Sequence, residues 1–106
     1  MSTSYRRYEI LLPRRFNDGQ PIPEEWLGEA LIELRKRFGV ASSQTQIIRG
    51  EWEFKGEVDS DEMARVFIDV EDTPESLEFF IQFRDRLKVK FRQLAIWMTS
   101  HVIDVL

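Results

Sequence analysis

The stretch that decides the fold class is residues 64–75, ARVFIDVEDTPE, in which one structural period gives way to another. Its first half has the two-residue alternation of a half-buried strand. The predicted inward row is Ala64, Val66, Ile68 and Val70, opposite Met63, Arg65, Phe67 and Asp69. Its second half is the clearest helix start in the chain, with Thr73 as the cap, Pro74 at the first helical position and Glu75 in the first turn. The stretch therefore predicts a strand that leads directly into a helix.

The chain beyond Pro74 keeps a helical period as far as Phe91 and then becomes extended. Apolar side chains recur at three- and four-residue spacing, which predicts one buried stripe along the helix. The predicted stripe is Leu77, Phe80, Ile81, Arg84, Leu87 and Phe91, widened by Phe79 and Phe83. Alternation returns from Leu94 to Val105 and predicts a last strand. Leu94, Ile96 and Met98 would share one side of it, and Ala95, Trp97 and Thr99 the other.

The first forty residues show the same strand–helix order. Tyr8, Ile10 and Leu12 alternate with Arg7, Glu9 and Leu11, which predicts a strand that ends at Pro13. The turn-forming residues within 14–23 predict a loop. A helix is predicted to begin at Pro23, and Gly39 suits the position after its end. The predicted buried stripe of this helix is Trp26, Leu27, Ala30, Leu31, Leu34 and Phe38.

One glycine interrupts this first helix. Gly28 costs about 1 kcal/mol relative to alanine at an interior helical position. We expect close packing of the sheet against its missing side chain to account for it.

Residues 44–55 alternate with a period of two and predict a further strand. One side of it would carry Gln46, Ile48, Gly50, Trp52 and Phe54, and the other Thr45, Ile47, Arg49, Glu51, Glu53 and Lys55. A polar turn over residues 56–60 would join this strand to the strand of Ala64 to Val70. The two strands are therefore predicted to form a hairpin.

Two strand–helix–strand halves joined by a hairpin are typical of a ferredoxin-like two-layer sandwich. The sequence thus predicts an α+β fold in βαββαβ order, with a four-stranded antiparallel sheet and both helices on one face. A length of 106 residues accommodates one hydrophobic core, so residues 1–106 are predicted to form a single domain. Two alternatives remain open, a different strand order and a last strand exchanged with a second subunit.

The bulk chemistry of the chain excludes several classes of protein. It contains no cysteine, which excludes disulfides, thiol catalysis and thiolate metal sites. Its net charge of −4 argues against nucleic acid as the principal partner, because phosphate binding depends on a surplus of Lys and Arg. No apolar run is long enough for a membrane span or a leader peptide, so we expect a cytoplasmic protein without membrane association.

Several turns, caps and core aromatics resemble those of a group of small uncharacterised bacterial proteins. The matching stretches are Asn17-Asp18-Gly19, Pro23 with Trp26, Phe38-Gly39-Val40, Gly50-x-Trp52, Asp72-Thr73-Pro74-Glu75 and Lys90-Phe91-Arg92-Gln93. The resemblance covers about Tyr8 to Leu106. Some members look like exported lipoproteins, whereas we expect no leader here. The resemblance therefore implies neither a periplasmic role nor an activity that could be transferred.

The sheet face without helices is the predicted functional surface. Leu11, Phe67 and Trp97 would make it more apolar than an idle solvent face, and a contiguous apolar patch usually marks an interface. Charged neighbours would set the register of the partners. The predicted interface or ligand residues are Leu11, Arg49, Glu51, Arg65, Phe67, Trp97 and His101. The leading hypothesis is a noncatalytic domain that binds itself as a homodimer, or another protein, through this face.

Two other functions stay open. A cleft on the same face would suit a small-ligand binder or an enzyme, with the only histidine, His101, or an acid such as Glu51 transferring protons. RNA-recognition domains share this topology and stack bases on aromatics such as Phe67, but acidic neighbours would repel phosphate. The sequence has no phosphate-binding glycine loop, dinucleotide fingerprint or zinc spacing. No catalytic residue, cofactor or metal site is therefore predicted.

Overall fold

The computed structural model describes residues 4–39, 43–54 and 57–106, with side chains for residues 4–39 and 62–106. Six elements follow in the predicted strand–helix–strand–strand–helix–strand order. They are β1 (Tyr5–Pro13), α1 (Glu24–Phe38), β2 (Ser43–Phe54), β3 (Glu57–Glu71), α2 (Pro74–Lys90) and β4 (Met98–Ile103). The predicted α+β class, with two helices and an antiparallel sheet, is confirmed.

β1 lies inside the sheet, between β3 and β4, and is antiparallel to both. The register pairs Tyr8 with Ile68 on one side and with Ser100 on the other. The backbone of β2 runs antiparallel to the opposite edge of β3, so the strands lie in the order β2-β3-β1-β4. This is the order expected when two strand–helix–strand units interleave their strands in one sheet.

The core lies between the two helices and one face of β1 and β3. The strand residues that fill it are Tyr8, Ile10, Leu12, Ala64, Val66, Ile68 and Val70, each at most 5% exposed. Ala30 and Leu34 of α1 and Phe83 of α2 belong to the same buried cluster. Aromatic rings join the layers, since the ring of Tyr8 stacks on that of Phe80 with 4.0 Å between centroids. The predicted inward rows of β1 and β3 and the stripe of α1 are confirmed.

α2 begins where the sequence predicts. The Thr73 hydroxyl accepts a hydrogen bond from the Ser76 backbone N–H at 3.1 Å, and Pro74 is the first helical residue. This bond satisfies one of the free N–H groups of the first turn, while Pro74 has none to satisfy. The cap fixes the point at which the chain leaves β3 and crosses over the sheet.

The buried stripe of α2 differs from the predicted one at its start. Its buried residues are Ser76, Phe80, Phe83 and Leu87, whereas Leu77 is 48% exposed. Successive residues are about 100° apart around a helix, so a stripe that passes through Ser76 turns Leu77 to the flank. The prediction for Leu77 is therefore wrong.

Two predicted boundaries are also wrong. β3 begins at Glu57 rather than after Ser60, because its polar first residues still pair by backbone with the end of β2. β4 begins at Met98 rather than at Leu94, which is 91% exposed. The reason lies in the exit from α2, where Arg92 has a φ of 55°, a left-handed conformation that turns the chain out of the helix. The following residues carry it from the helix layer to the sheet.

The expected close packing at Gly28 is wrong for the part of the chain that the structure describes. A methyl group on Gly28 would meet no described atom within 4 Å apart from its chain neighbours and the backbone of its own helix. The glycine instead borders a cavity beneath α1.

Candidate functional site

The sheet face opposite the helices carries the outward residues of β1 and β3 and is called the open face. Its members are Tyr5, Arg7, Glu9, Leu11, Met63, Arg65, Phe67 and Asp69, all half-buried. Alternation places them here, because every second residue of the same strands belongs to the core. The register sets Arg7 opposite Asp69, Glu9 opposite Phe67 and Leu11 opposite Arg65. Three predicted site residues, Leu11, Arg65 and Phe67, therefore lie together.

Phe67 is the centre of this group. The guanidinium carbon of Arg7 lies 4.7 Å from the centroid of its ring, and that of Arg65 lies 5.3 Å away. Both distances allow a favourable interaction between a cation and the π-face of the ring. The two arginines therefore hold the phenyl ring without covering it completely, since Phe67 keeps part of its surface exposed.

Each of these arginines is paired with an acid on the neighbouring strand. Arg7 binds Asp69 through two hydrogen bonds, Nε to Oδ1 at 2.7 Å and Nη2 to Oδ2 at 2.9 Å. Arg65 forms an ion pair with Glu9. The hydrogen bond to Asp69 raises the pKa of Arg7 above its ordinary value, with attraction between the opposite charges in support and desolvation opposing the shift. The four side chains sum to no net charge.

Trp97 and His101 extend the face toward β4. Trp97 is 67% exposed, and its carbonyl accepts a hydrogen bond from the Leu11 N–H at 3.0 Å. The sheet thereby continues one residue before β4 begins. His101 is exposed and is paired in register with Arg7. Both predicted residues thus border the central group, on the side away from β2.

Arg49 and Glu51 lie in β2, and their side chains are outside the described residues. The backbone register pairs Arg49 with Glu62 and Glu51 with Ser60. Neither is paired directly with Arg65 or Phe67. Their part in the functional surface stays a prediction.

A cleft of about 500 Å³ opens at the end of the open face where Pro13 leaves β1. Its lining includes Leu11, Arg15, Phe16, Met63, Gln93 and Trp97. The rings of Phe16 and Trp26 form an edge-to-face contact with 5.7 Å between their centroids, and the guanidinium carbon of Arg92 lies 5.1 Å from the centroid of the Phe16 ring. The Arg15 Nη1 donates to the Gly19 carbonyl at 3.0 Å. The cleft thus combines apolar walls with a few polar groups, as small-molecule sites do.

Periodicity did not identify the loop side of this cleft, nor which arginine each acid of the open face binds. Arg15 and Phe16 lie between elements, where no periodicity shows in which direction a side chain points. Alternation places Glu9 and Asp69 on the open face, but their partners could be found only from the register, because alternation gives the face of a residue and not its partner on the next strand.

Two other features bear on the chemistry of the described chain. In residues 4–39 and 62–106, no group of three His, Asp or Glu side chains is arranged to hold a metal ion. The Tyr8 hydroxyl is buried and makes no hydrogen bond with the described residues. Burial raises the pKa of Tyr8 above its ordinary value of 10.0, with the Arg6 charge opposing the shift and that of Asp72 adding to it.

A membrane span is absent from both helices. Neither α1 nor α2 is long and apolar enough to cross a bilayer.

No family model matches the chain, and neither does any curated protein. Its fold is nevertheless similar to those of solved structures. A phage SAM lyase in complex with S-methyl-5'-thioadenosine is 17% identical with a TM-score of 0.64, over 100% of this chain and 90% of the lyase. The periplasmic divalent cation tolerance protein CutA from Archaeoglobus fulgidus is 13% identical with a TM-score of 0.58, over 95% of this chain and 85% of CutA.

A third similar structure is the complex of GlnK from B. subtilis with ATP. It is 19% identical with a TM-score of 0.58, over 97% of this chain and 84% of GlnK. At these identities the likeness shows the fold alone. The chain therefore has the fold of small ferredoxin-like domains such as CutA and GlnK, and its function has to be argued from its own surface.

Proposed function

We propose that this protein is a small noncatalytic binding domain that forms a homodimer through its open face. In this proposal β2 completes a four-stranded ferredoxin-like sandwich, and the protein acts in the cytoplasm. The observation that carries the proposal is the half-buried ring of Phe67, which lies at the centre of a sheet face that neither helix covers.

The apolar surface of this face supports the proposal. Leu11 and Met63 flank Phe67 on the same two strands, and Trp97 exposes two thirds of its surface beside them. Aromatic residues and Met are enriched in the centres of interfaces, and Trp, Tyr and Arg residues contribute most of the binding energy. A second copy of the face would remove this surface from water.

The charges of the face favour a second copy over a nucleic acid. Arg7 and Arg65 are each balanced by an acid, so two such faces do not repel one another as wholes. A phosphate backbone would instead require positive charge beyond these pairs. Mixed charges around an apolar centre can fix the relative orientation of two copies.

The test compares the solution mass of Phe67→Glu with that of Leu77→Glu. Both variants place a carboxylate at a leucine or phenylalanine that is not fully buried, but Leu77 lies on α2, away from the open face. We expect light scattering to give a folded monomer of 12.7 kDa for Phe67→Glu and a dimer for Leu77→Glu. The same mass for both variants, with circular dichroism showing both folded, would exclude the open face as the interface.

The cleft at the end of the open face favours a second candidate, a binder of small molecules. Its volume of about 500 Å³ lies within the range of ligand pockets, roughly 300–1,000 Å³. The phage SAM lyase holds S-methyl-5'-thioadenosine and GlnK holds ATP, which share an adenosine group. His101 is not among the described residues that line the cleft, so the candidate is a binder rather than a histidine-dependent enzyme.

Titration of the protein with S-methyl-5'-thioadenosine and with ATP tests this candidate. Because Trp97 lines the cleft, a bound adenosine group would change its fluorescence, and the change would be absent from Trp97→Phe. If neither compound changes the fluorescence or the heat of mixing, an adenosine ligand is excluded.

A further inference from the structure

A cavity of about 490 Å³ opens between the first turn of α2 and the strands β1 and β4. Its lining includes Arg6, Tyr8, Pro74, Leu77 and Ser100. Arg6 and Tyr8 alternate with the open-face residues of β1, so the cavity lies on the helix side of the sheet. Its volume lies within the range of small-molecule pockets, roughly 300–1,000 Å³.

Tyr8 brings to this cavity a polar group that lacks a partner. The side chain is only 2% exposed, and its hydroxyl makes no hydrogen bond with the described residues. A buried hydroxyl without a hydrogen bond is costly. A phenylalanine could stack on Phe80 without that cost, so the packing of the core does not account for the oxygen. The hydroxyl is therefore a donor that lacks an acceptor within the described chain.

Two opposite charges lie in the cavity wall. Arg6 donates from Nε to Asp72 Oδ1 at 2.9 Å and from Nη1 to Ser100 Oγ at 3.1 Å. Burial raises the pKa of Tyr8, and the charges of Arg6 and Asp72 also act on it, so the hydroxyl keeps its proton at neutral pH within electrostatic reach of this pair. Because Arg6 is already balanced by Asp72, an anion would lose water here without gaining an unpaired cation. An uncharged acceptor is favoured instead.

The opposite wall of the cavity is apolar. Leu77 is 48% exposed, and Pro74 is exposed one turn before it. Both line the cavity beside Tyr8. A ligand that covers them removes apolar surface from water, which favours binding.

We propose that this cavity binds a small uncharged molecule that carries a carbonyl oxygen and an apolar group. The Tyr8 hydroxyl donates a hydrogen bond to the carbonyl oxygen, and the apolar group covers Leu77 and Pro74. The hydroxyl oxygen is itself covered, so the ligand displaces a side chain of the cavity wall as it enters. The site is separate from the proposed dimer interface, because it lies on the other side of the sheet.

The test uses acetophenone as the probe, with Tyr8→Phe as the variant and Tyr5→Phe as the control. Tyr8→Phe keeps the ring that stacks on Phe80, so it is expected to fold. It is expected to weaken acetophenone binding by about threefold to tenfold, since one hydrogen bond is lost, whereas Tyr5→Phe leaves the binding unchanged. NMR titration measures both. Unchanged acetophenone binding by a folded Tyr8→Phe would overturn the proposal.

Two related probes test the carbonyl oxygen and the absence of charge. Toluene has the apolar ring without an acceptor, so it is expected to bind the wild type and Tyr8→Phe equally. Benzoate adds a negative charge and is expected to bind the wild type at least about tenfold more weakly than acetophenone. If Tyr8→Phe weakens toluene as much as acetophenone, the hydrogen bond is excluded. Equal binding of benzoate and acetophenone would exclude the preference for an uncharged ligand.

A measurement on the wild type locates the probe and does not depend on any variant. Acetophenone is expected to shift the methyl NMR signals of Leu77 and to leave those of Leu31 unchanged, because Leu31 lines a separate cavity beneath α1. The proposal is overturned if the Leu77 signals do not move, or if the larger shift is at Leu31.

Discussion

The two faces of β1 and β3 are built from alternate residues of the same strands and differ in how far their side chains are buried. On the inner face, Tyr8, Ile68 and Val66 are at most 2% exposed and pack beneath the helices. On the open face, Phe67 stays half-buried between two arginines, each bound to an acid. The helices of the same chain cover the inner face, whereas the open face is covered only in part, by its own charged side chains.

This difference predicts that the inner face contributes mainly to stability and the open face mainly to binding. Residues of the inner face lose most of their water on folding, so they contribute directly to the free energy of unfolding. Residues of the open face keep surface that a partner can still cover, and such surface contributes to association instead. Substitutions on the two faces should therefore be distinguishable by measurement, although the substituted residues are neighbours in the sequence.

The largest effect is expected at Phe83, which is 1% exposed and packs among the rings of α2. Phe83→Ala is expected to lower the free energy of unfolding by about 3–5 kcal/mol, because it removes buried surface and leaves a cavity. Urea unfolding followed by circular dichroism measures this cost.

Phe67→Ala is the matched control on the open face. Its cost should be smaller, about 1–2 kcal/mol, and should grow with protein concentration if the folded state is a dimer. A cost equal to that of Phe83→Ala at every concentration would break the distinction between the two faces.

An intermediate effect is expected at Tyr8, whose buried hydroxyl makes no hydrogen bond with the described residues. Tyr8→Phe keeps the stacking on Phe80 and is expected to raise the free energy of unfolding by about 1 kcal/mol at neutral pH. Tyr5→Phe, at a half-buried position of the open face, should change it less. A destabilised Tyr8→Phe would show that the hydroxyl is well satisfied in solution.

The same variant has a pH signature. Burial raises the pKa of Tyr8 above 10.0, so the folded state keeps its proton where the unfolded state loses it. The resulting stability is complete below pH 10.0 and is lost as the pH rises through the raised pKa. The wild type should therefore lose more stability than Tyr8→Phe between neutral pH and the alkaline range, and equal losses would contradict this assignment.

The smallest effect is expected for the ion pair of Arg7 and Asp69, whose side chains are about one third exposed. Asp69→Asn is expected to cost about 0.2–1 kcal/mol of unfolding free energy, less at high salt. It also leaves Arg7 unbalanced on both copies of the open face and should weaken association. Asp85→Asn, which alters a more exposed pair on α2, is the control and should leave the mass unchanged. A loss of several kcal/mol at Asp69 would mean that this pair stabilises the fold itself.

Much of the fold could be predicted because periodicity and capping are local properties. The cap at Thr73 and the inward row from Ala64 to Val70 depend on neighbouring residues only, and both are confirmed. The exposure of Leu77 and the late start of β4 depend instead on how α2 packs and where Arg92 turns the chain. Those properties are decided by tertiary contacts that no local pattern contains.

Some parts of the candidate site could likewise be predicted from local patterns, whereas others depend on tertiary contacts. Alternation was enough to assign Leu11 and Phe67 to the sheet face without helices. The pairing of Arg7 with Asp69 needed the register between strands that are distant in sequence. The cleft needed the loop of Arg15 and Phe16, whose conformation follows from contacts with α1 and with the end of α2. Periodicity in a single sequence therefore predicts which residues share a surface better than it predicts which residues are in contact.

The most direct test of the proposed dimer is the mass of the wild-type protein in solution, measured by light scattering over a range of concentrations. A dimer formed through the open face has twice the 12.7 kDa of the chain and dissociates on dilution without unfolding. A mass of 12.7 kDa at every concentration would contradict it and would leave the small-molecule cleft beside Trp97 as the better explanation of the open face.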